Sequence, residues 1–394
     1  LLCRAPRNWM DGDEVVARVT SVLRRAVAEA AEFPLQPLLR LDGSESRSRD
    51  VEALWEGRAG PSTHQPWGGT YKWRCKLTFE RRMDLVWLED KVVQRRLMNC
   101  WPEGASKPLP SYWFDEAEEA EATAAWLLST TGEPLVVKPR HAASGQGLAV
   151  LQPSQCTREE LRAAVHEALT VECKQGESWQ LYQVPKGVGM EPLYPSLGWS
   201  PREPQRPLEL KVQTVWGACI GASLHTSQQL WVLPDGSVHK WEGKFRSTHR
   251  CALQRKYGTL PAWAENALRP VLQEHWSFVR SESEAIARRW GLDEVRVDWF
   301  LGCPKLGPRI CEVTWMGTGD RIPWPLQLAV ADAFFAGHRV RLESEARGHA
   351  LPTAAAIPSA CADSSCGAVA PVSPSIDEWS SSWSRFAHGS DDGA

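Results

Sequence analysis

The run VRVDWFLGCPKLGPRICEVTW, residues 295–315, sets two acidic side chains into strand-like, apolar surroundings. Asp298 and Glu312 each have apolar residues on both sides, as buried strand positions do. A carboxylate is costly to bury unless a cation sits beside it, so these two strands have to be built around positive charge. Arg296, Asp298, Glu312 and Thr314 fall on alternating positions of two neighbouring strands, 294–301 and 309–315, and alternation lets all four face one way. Two carboxylates converging beside an arginine suit a hard cation. Mg2+ prefers oxygen ligands and is typically completed by nucleotide phosphates. A structural Arg–Asp pair with an unrelated glutamate fits the same pattern.

Length and charge bound the rest. The 394 residues suffice for two or three packed units, and the net charge of −3 gives no global pull toward nucleic acid or anionic membrane. No apolar run approaches the ~20 residues of a spanning helix. The opening LLCRAP is too brief for a signal peptide, and a cytoplasmic location is expected. The 11 cysteines are odd in number and form no C-x-x-C pair, which argues for isolated reduced thiols over a zinc ribbon or a disulfide framework. The 21 tryptophans show no fixed spacing and read as core filler.

Periodicity predicts a helix over 11–31, with Val15, Val16, Val19, Leu23 and Val27 on one stripe. A polar loop over 40–70 follows, then a helix through LEDKVVQRRLMNCW and a solvated acidic helix in FDEAEEAEATAAWLLS. Short strands are expected at PLVVK and GLAVL, around PRHAASGQ. Thr157 and Glu160 then carry the spacing of a capping box. Further strands are expected at 180–184, 188–193, 208–217 and 219–225, with a hairpin turn at Asp235-Gly236. Helices over 262–290 and 325–344 flank the two acidic strands, and the composition after 347 predicts a disordered tail. Antiparallel-looking strand pairs separated by helices give an α+β class.

Three further residues stand out. Lys138 ends a strand before a loop of small residues, an arrangement that suits phosphate but also an ordinary hairpin with a solvated lysine. Glu191 ends another strand and is placed either to accept from a ribose or an adenine amine, or as a plain strand-end acid. Lys211 sits among leucines and valines, at a cleft beside an anion or snorkelling from an edge.

Taken in order, lysine, Gly-containing loop, Glu191, Lys211, Arg-x-Asp and Glu312 resemble an ATP-grasp protein. The Asp298–Glu312 pair, fourteen positions apart, is similar to the metal-binding pair of D-alanine–D-alanine ligases. Closer still, EDKVVQRRL, KPRHAASG, LELK and VRVDWFL…CEVT resemble the segments of TupA-like ATP-grasp proteins of polysaccharide and teichuronopeptide synthesis. The likeness covers roughly residues 85–335. The 138–145 loop has one residue more than the K-x-x-H-x-S-G form, Thr314 stands where many ligases have Asn, and Glu209 stands where the family has Asp.

The resemblance implies two α+β lobes with antiparallel sheets clasping ATP. It places an N-terminal α-rich region in 1–84, an ATP-grasp domain in 85–346 with its smaller lobe near 130–195, and the tail in 347–394. It implies ATP contacts from Lys91, Lys138, His141, Ser144, Gly145, Glu191 and Lys211, and Mg2+ on Asp298, Glu312 and Thr314. Arg296 would offset charge on the transferred phosphoryl group. The residues themselves leave Lys91 open as a surface lysine and His141 as merely exposed. The implied activity is Mg2+-dependent carboxylate–amine ligation through an acylphosphate, on a small-molecule, saccharide or peptide substrate and without nucleic acid. An ATP-grasp phosphotransferase and a non-catalytic nucleotide-binding module of polysaccharide assembly are the alternatives.

Overall fold

The computed structural model describes residues 12–32, 67, 72, 75–76, 88–99, 108–172, 184–195, 207–224, 230–242, 256–257, 262–315, 317 and 322–347. The expected 40–70 loop (apart from Trp67), most of the 180–184 strand and the tail after 347 lie outside these residues. In chain order the elements begin with helix α1 (Gly12–Glu29), followed by α2 (Lys91–Asn99), β1 (Tyr112–Phe114) and α3 (Ala117–Thr131). Then come β2 (Leu135–Pro139), β3 (Ala149–Leu151), α4 (Arg158–Thr170) and β4 (Val188–Pro192). They continue with β5 (Leu208–Val215), β6 (Ala218–Leu224), β7 (Leu230–Val232), β8 (Val238–Glu242) and β9 (Lys256–Tyr257). A π-helical turn over Ala264–Leu268 leads into α5 (Arg269–Trp290), and β10 (Glu294–Leu301), β11 (Arg309–Thr314) and α6 (Trp324–Ala346) close the order. The chain divides into two compact units, one within 1–85, 196–302 and 313–356, the other within 86–195, 303–312 and 357–394.

The second unit is built on a four-stranded sheet of order β1-β4-β2-β3, antiparallel throughout. Helices α3 and α4 close its core: Ala120, Ala124 and Leu127 of α3 and Leu161, Val165 and Ala168 of α4 pack with Leu135, Val137, Val188 and Met190 of the sheet. The acidic side chains Glu118 and Glu119 of α3 stay in solvent, as their spacing requires. Gly132, at φ 66, ends that helix in the left-handed conformation that glycine adopts without penalty. The capping box of α4 is present, with Thr157 accepting from the Glu160 amide and Glu160 accepting from the Thr157 amide.

The first unit carries a seven-stranded sheet of order β11-β10-β5-β6-β7-β8-β9, in which the last two residues of β11 belong to this unit. The pairs from β10 through β5 to β9 are antiparallel. Helix α1 buries Val15, Val19 and Leu23 of the expected stripe, with Ala26 beside them and Val16 and Val27 only partly buried, against Ile220 and Trp231 of the sheet and Leu326, Val330 and Phe334 of α6. Burying each such Val or Leu contributes about 1.5–3 kcal/mol. On β10, Trp299 donates its indole N–H to Ser283 Oγ of α5 at 2.9 Å. Residues of that parity therefore face α5, and Arg296 and Asp298 face the other way. The Asp235-Gly236 turn joins β7 to β8 as expected, with Asp235 accepting from the Ser237 amide at 3.0 Å.

A buried ionic network that the sequence does not announce lies at the start of β10. Lys72 reaches Glu294 at 2.7 Å, and Lys76 reaches both Glu294 at 2.9 Å and Asp293 at 3.2 Å. Trp315 and His338 also point their ring nitrogens at Asp293. Burial holds the Lys72 ammonium down at about 8, and burial likewise holds His338 at about 4 despite its carboxylate neighbour. Among the described residues, Cys156, Cys219 and Cys303 are free thiols. Among the described residues no helix is long and apolar enough to cross a membrane.

Two outcomes follow for stability. Gly337 of α6 lies under the indole of Trp216, where a β-carbon would overlap the ring. Gly337→Ala is expected to lose about 1–3 kcal/mol through overpacking, read as a lower urea midpoint at unchanged m-value. His338 has a lower pKa folded than unfolded, so the unfolded state binds the extra proton first. Stability is then lost as pH falls from about 6.5 toward about 4, and Asp293, which is also depressed, extends the loss to lower pH. A thermal-melt series across this range should show a steeper decline for the parent than for His338→Gln.

Candidate functional site

In the first unit the site is a cross-strand ion cluster. Lys211 of β5 stands directly opposite Asp298 of β10, and its ammonium bonds that carboxylate and the carboxylate of Glu209. Arg296 closes the cluster from the same strand as Asp298, with Nε donating to Oδ1 at 2.7 Å and Nη2 to Oδ2 at 3.0 Å. The same Nη2 reaches the Thr314 hydroxyl at 3.1 Å. Asp298 is wholly buried, and burial alone would raise its pKa, but Arg296 and Lys211 outweigh it and hold the carboxyl at about 2. Burial also works against the Lys211 charge, and there Asp298 and then Glu209 prevail and raise its pKa. Lys211 is therefore neither a snorkelling edge residue nor an open one; it is a buried ammonium held by two acids. Glu209, which stands in place of the expected Asp, supplies the second.

The second unit repeats the device. Lys138 at the end of β2 meets Glu191 of the adjacent β4 at 2.6 Å, and Arg95 of α2 approaches the same oxygen at 3.3 Å. Burial opposes ionisation of Glu191, but Lys138 and then Arg95 more than offset it and lower its pKa. Gly189 lies opposite both Lys138 and Trp113, and a β-carbon there would overlap the Trp113 ring. Glycine lets that indole lie across the strand, 5.8 Å from the Lys138 ammonium. Arg95 also donates to the carbonyls of Ile310 and Cys311, at 3.4 and 3.1 Å, the two residues before Glu312.

The remaining expected residues divide. Lys91 does not point freely outward; its ammonium donates to the carbonyls of Arg140 and Ala142 at 3.3 and 2.7 Å. Its pKa is lowered, chiefly by burial, with the charge of Glu312 acting against that effect. His141 is buried rather than exposed, with Nε2 2.8 Å from the Val171 carbonyl, and burial lowers its pKa. Ser144 and Gly145 lie exposed at the loop tip in left-handed conformations, at φ 56 and 74. A serine held there is uncommon and marks a tightly specified loop. Arg95, Asp90, Arg140 and Glu209 went unassigned in the sequence. The signal that could have found them is the need of each buried charge for a partner.

Magnesium needs free carboxylate oxygens. Both oxygens of Asp298 are engaged by Arg296 and Lys211, and the Thr314 hydroxyl faces Arg296. Among the described residues no three His, Cys, Asp or Glu side chains group as a metal site. As arranged, these residues do not fit the ion, and the structural Arg–Asp pair is the contact observed.

No family model and no curated protein matches the sequence. Among solved structures, the chain is similar to D-cycloserine synthetase DcsG at 15% identity, over 82% of this chain and 95% of that one, with a TM-score of 0.39. It is similar to ATP-grasp ligase PsnB complexed with minimal precursor, Mg and ADP at 12% identity, over 84% and 96%, with a TM-score of 0.37. D-alanyl-alanine synthetase A from Vibrio cholerae follows at 13%, over 82% and 95%, with a TM-score of 0.33. Likeness at this identity and TM-score assigns no activity.

The occupied state of Asp298 has a direct consequence. Mg2+ alone is expected to leave the melting temperature of the nucleotide-free protein unchanged. A rise with Mg2+ alone that Asp298→Asn abolishes would show a preformed metal site.

Proposed function

We propose that the protein is an ATP-binding enzyme of ATP-grasp type and a carboxylate–amine ligase. One observation carries the reading: each of the two antiparallel sheets holds a strand lysine against a carboxylate on the neighbouring strand. The lysines, Lys138 and Lys211, are those that the ordered sequence motifs single out for phosphate. The acids, Glu191 and Asp298, are those singled out for the sugar or base and for the metal. The TupA-like assignment within this class rests on the four sequence segments alone.

In the proposed reaction a substrate carboxylate attacks the γ-phosphate of ATP, giving an acylphosphate and ADP, and an amine then displaces phosphate. The protein's part is electrostatic. Lys138, Lys211 and Arg296 are the fixed positive charges available to phosphate oxygens as the bond to the γ-phosphorus breaks and its electron pair passes to the bridging oxygen, which leaves as part of ADP. Each of these cations is held in place by an acid, Lys138 by Glu191 and both Lys211 and Arg296 by Asp298, so its position is set before a polyanion arrives. The chemistry requires no side-chain nucleophile, which agrees with a sequence that carries no Ser–His–Asp or Cys–His signature.

Two measurements test the proposal. Lys138→Met and Lys211→Met are each expected to weaken ATP binding about ten- to a hundredfold, as loss of one charge-assisted contact does, and to leave adenosine binding unchanged. Each substitution strips a buried acid of a partner, so circular dichroism and melting temperature must first show a folded variant. Parent-like ATP affinity in both folded variants would sink the phosphate assignment. Second, a screen of carboxylate and amine pairs should give ADP release that depends on both. Release with a hydroxyl acceptor alone would mark a phosphotransferase, and ATP binding without turnover a binding module.

A further inference from the structure

Helix α2 makes a set of contacts that the proposed chemistry does not use. Asp90, wholly buried just before the helix, accepts the Val92 amide on Oδ1 at 2.9 Å and so caps the helix N-terminus. The same carboxylate takes a two-pronged contact from Arg140, Nε to Oδ1 at 2.9 Å and Nη2 to Oδ2 at 2.7 Å. Arg140 is the first residue after β2 and opens the loop that runs to Gly147. Its own amide donates to the Gly187 carbonyl at 2.8 Å. Gly187 fits so closely that a β-carbon there would lie 3.1 Å from Asp115 Oδ1 and 3.3 Å from Arg140 Cδ. Lys91, the next residue of the helix, donates to the carbonyls of Arg140 and Ala142. Side chain and backbone at the base of the loop are thus gripped by two consecutive residues, while Ser144 and Gly145 at the tip remain exposed.

We infer that Asp90, Lys91 and Arg140 form a latch that holds the 140–147 loop in one conformation, making them positioning residues for phosphate binding. The phosphate half of this inference rests on the function proposed above; the latch itself rests on the contacts alone. Lys91 would act on nucleotide through the loop carbonyls rather than by touching phosphate. The physical gain is preorganisation: a loop already ordered loses less conformational freedom when it closes its amides on an anion. A bidentate arginine–carboxylate pair suits the task because its fork fixes direction as well as distance.

Asp90→Asn and Arg140→Met separate this from a general structural role. Asparagine keeps the helix cap and loses the charged pair. Arg140→Lys keeps the charge and loses the fork. Amide hydrogen exchange of residues 141–148 in the nucleotide-free protein should rise in Asp90→Asn and Arg140→Met while exchange in β5 and β10 stays at the parent level. ATP affinity should fall about tenfold with adenosine affinity unchanged, and the double variant should be no worse than either single one. Arg140→Lys should recover only part of both. Unchanged loop exchange in the folded variants would overturn the latch. Raised loop exchange with parent-like ATP affinity would overturn the positioning role. A parent that does not bind ATP would instead sink the functional proposal, and the exchange data would still decide whether the latch holds the loop.

Discussion

The contact between Lys211 and Asp298, with Arg296 closing on the same carboxylate, governs how the larger sheet is built. Asp298 is wholly buried in a strand next to the sheet's β5, where an unpaired charge would cost several kcal/mol. Two cations and three hydrogen-bonding directions remove that cost, and the register of β5 against β10 follows from it. A slip of one residue would carry Lys211 to the other face and leave the acid alone. Removing either partner therefore threatens more than one bond, since breaking a buried pair costs about 3–5 kcal/mol.

That Lys138, Glu191 and Arg95 repeat the arrangement in the second unit makes the pattern informative about function. Buried ion pairs are weak devices for stability, because apolar residues of similar volume do as well or better. Two strand lysines set against acids have a further use if a polyanion is to become their partner. In this respect they differ from the network of Lys72, Lys76, Asp293, Glu294 and His338, whose members are sealed inside the first unit and tie the segment before α2 to the start of β10.

Helix α2 illustrates how a short element acquires importance through partners instead of size. Its nine residues bury Val92, Gln94, Arg95 and Met98, and Asp90 before it, Lys91 at its start and Arg95 one turn later reach the loop after β2, the acid on β4 and the carbonyls preceding Glu312. Spacing of four residues puts Lys91 and Arg95 on the same helical face, so one rigid body addresses all three pieces. Charge sits on both sides of the exchange: Lys91 feels the attraction of Glu312 and the repulsion of Lys138.

Local pattern alone determined a good deal of this protein. The α+β class, the α1 stripe, the capping box at Thr157, the hairpin at Asp235-Gly236 and the extents of β10 and α6 were all legible, because each depends on residues within a turn or a strand of one another. The demand of Asp298 for a cation was legible too, since burial of a carboxylate is written in its apolar neighbours. Which cation answers it was decided only by the tertiary structure. Arg296 and Lys211 both close on Asp298, Arg95 joins Glu191 from 96 positions away, and Lys91 grips loop carbonyls where the sequence pattern suggested a nucleotide contact. The physical reason is that a charge records in its own sequence neighbourhood the cost of being buried, whereas its partner can come from any strand or helix that the fold brings within hydrogen-bonding distance.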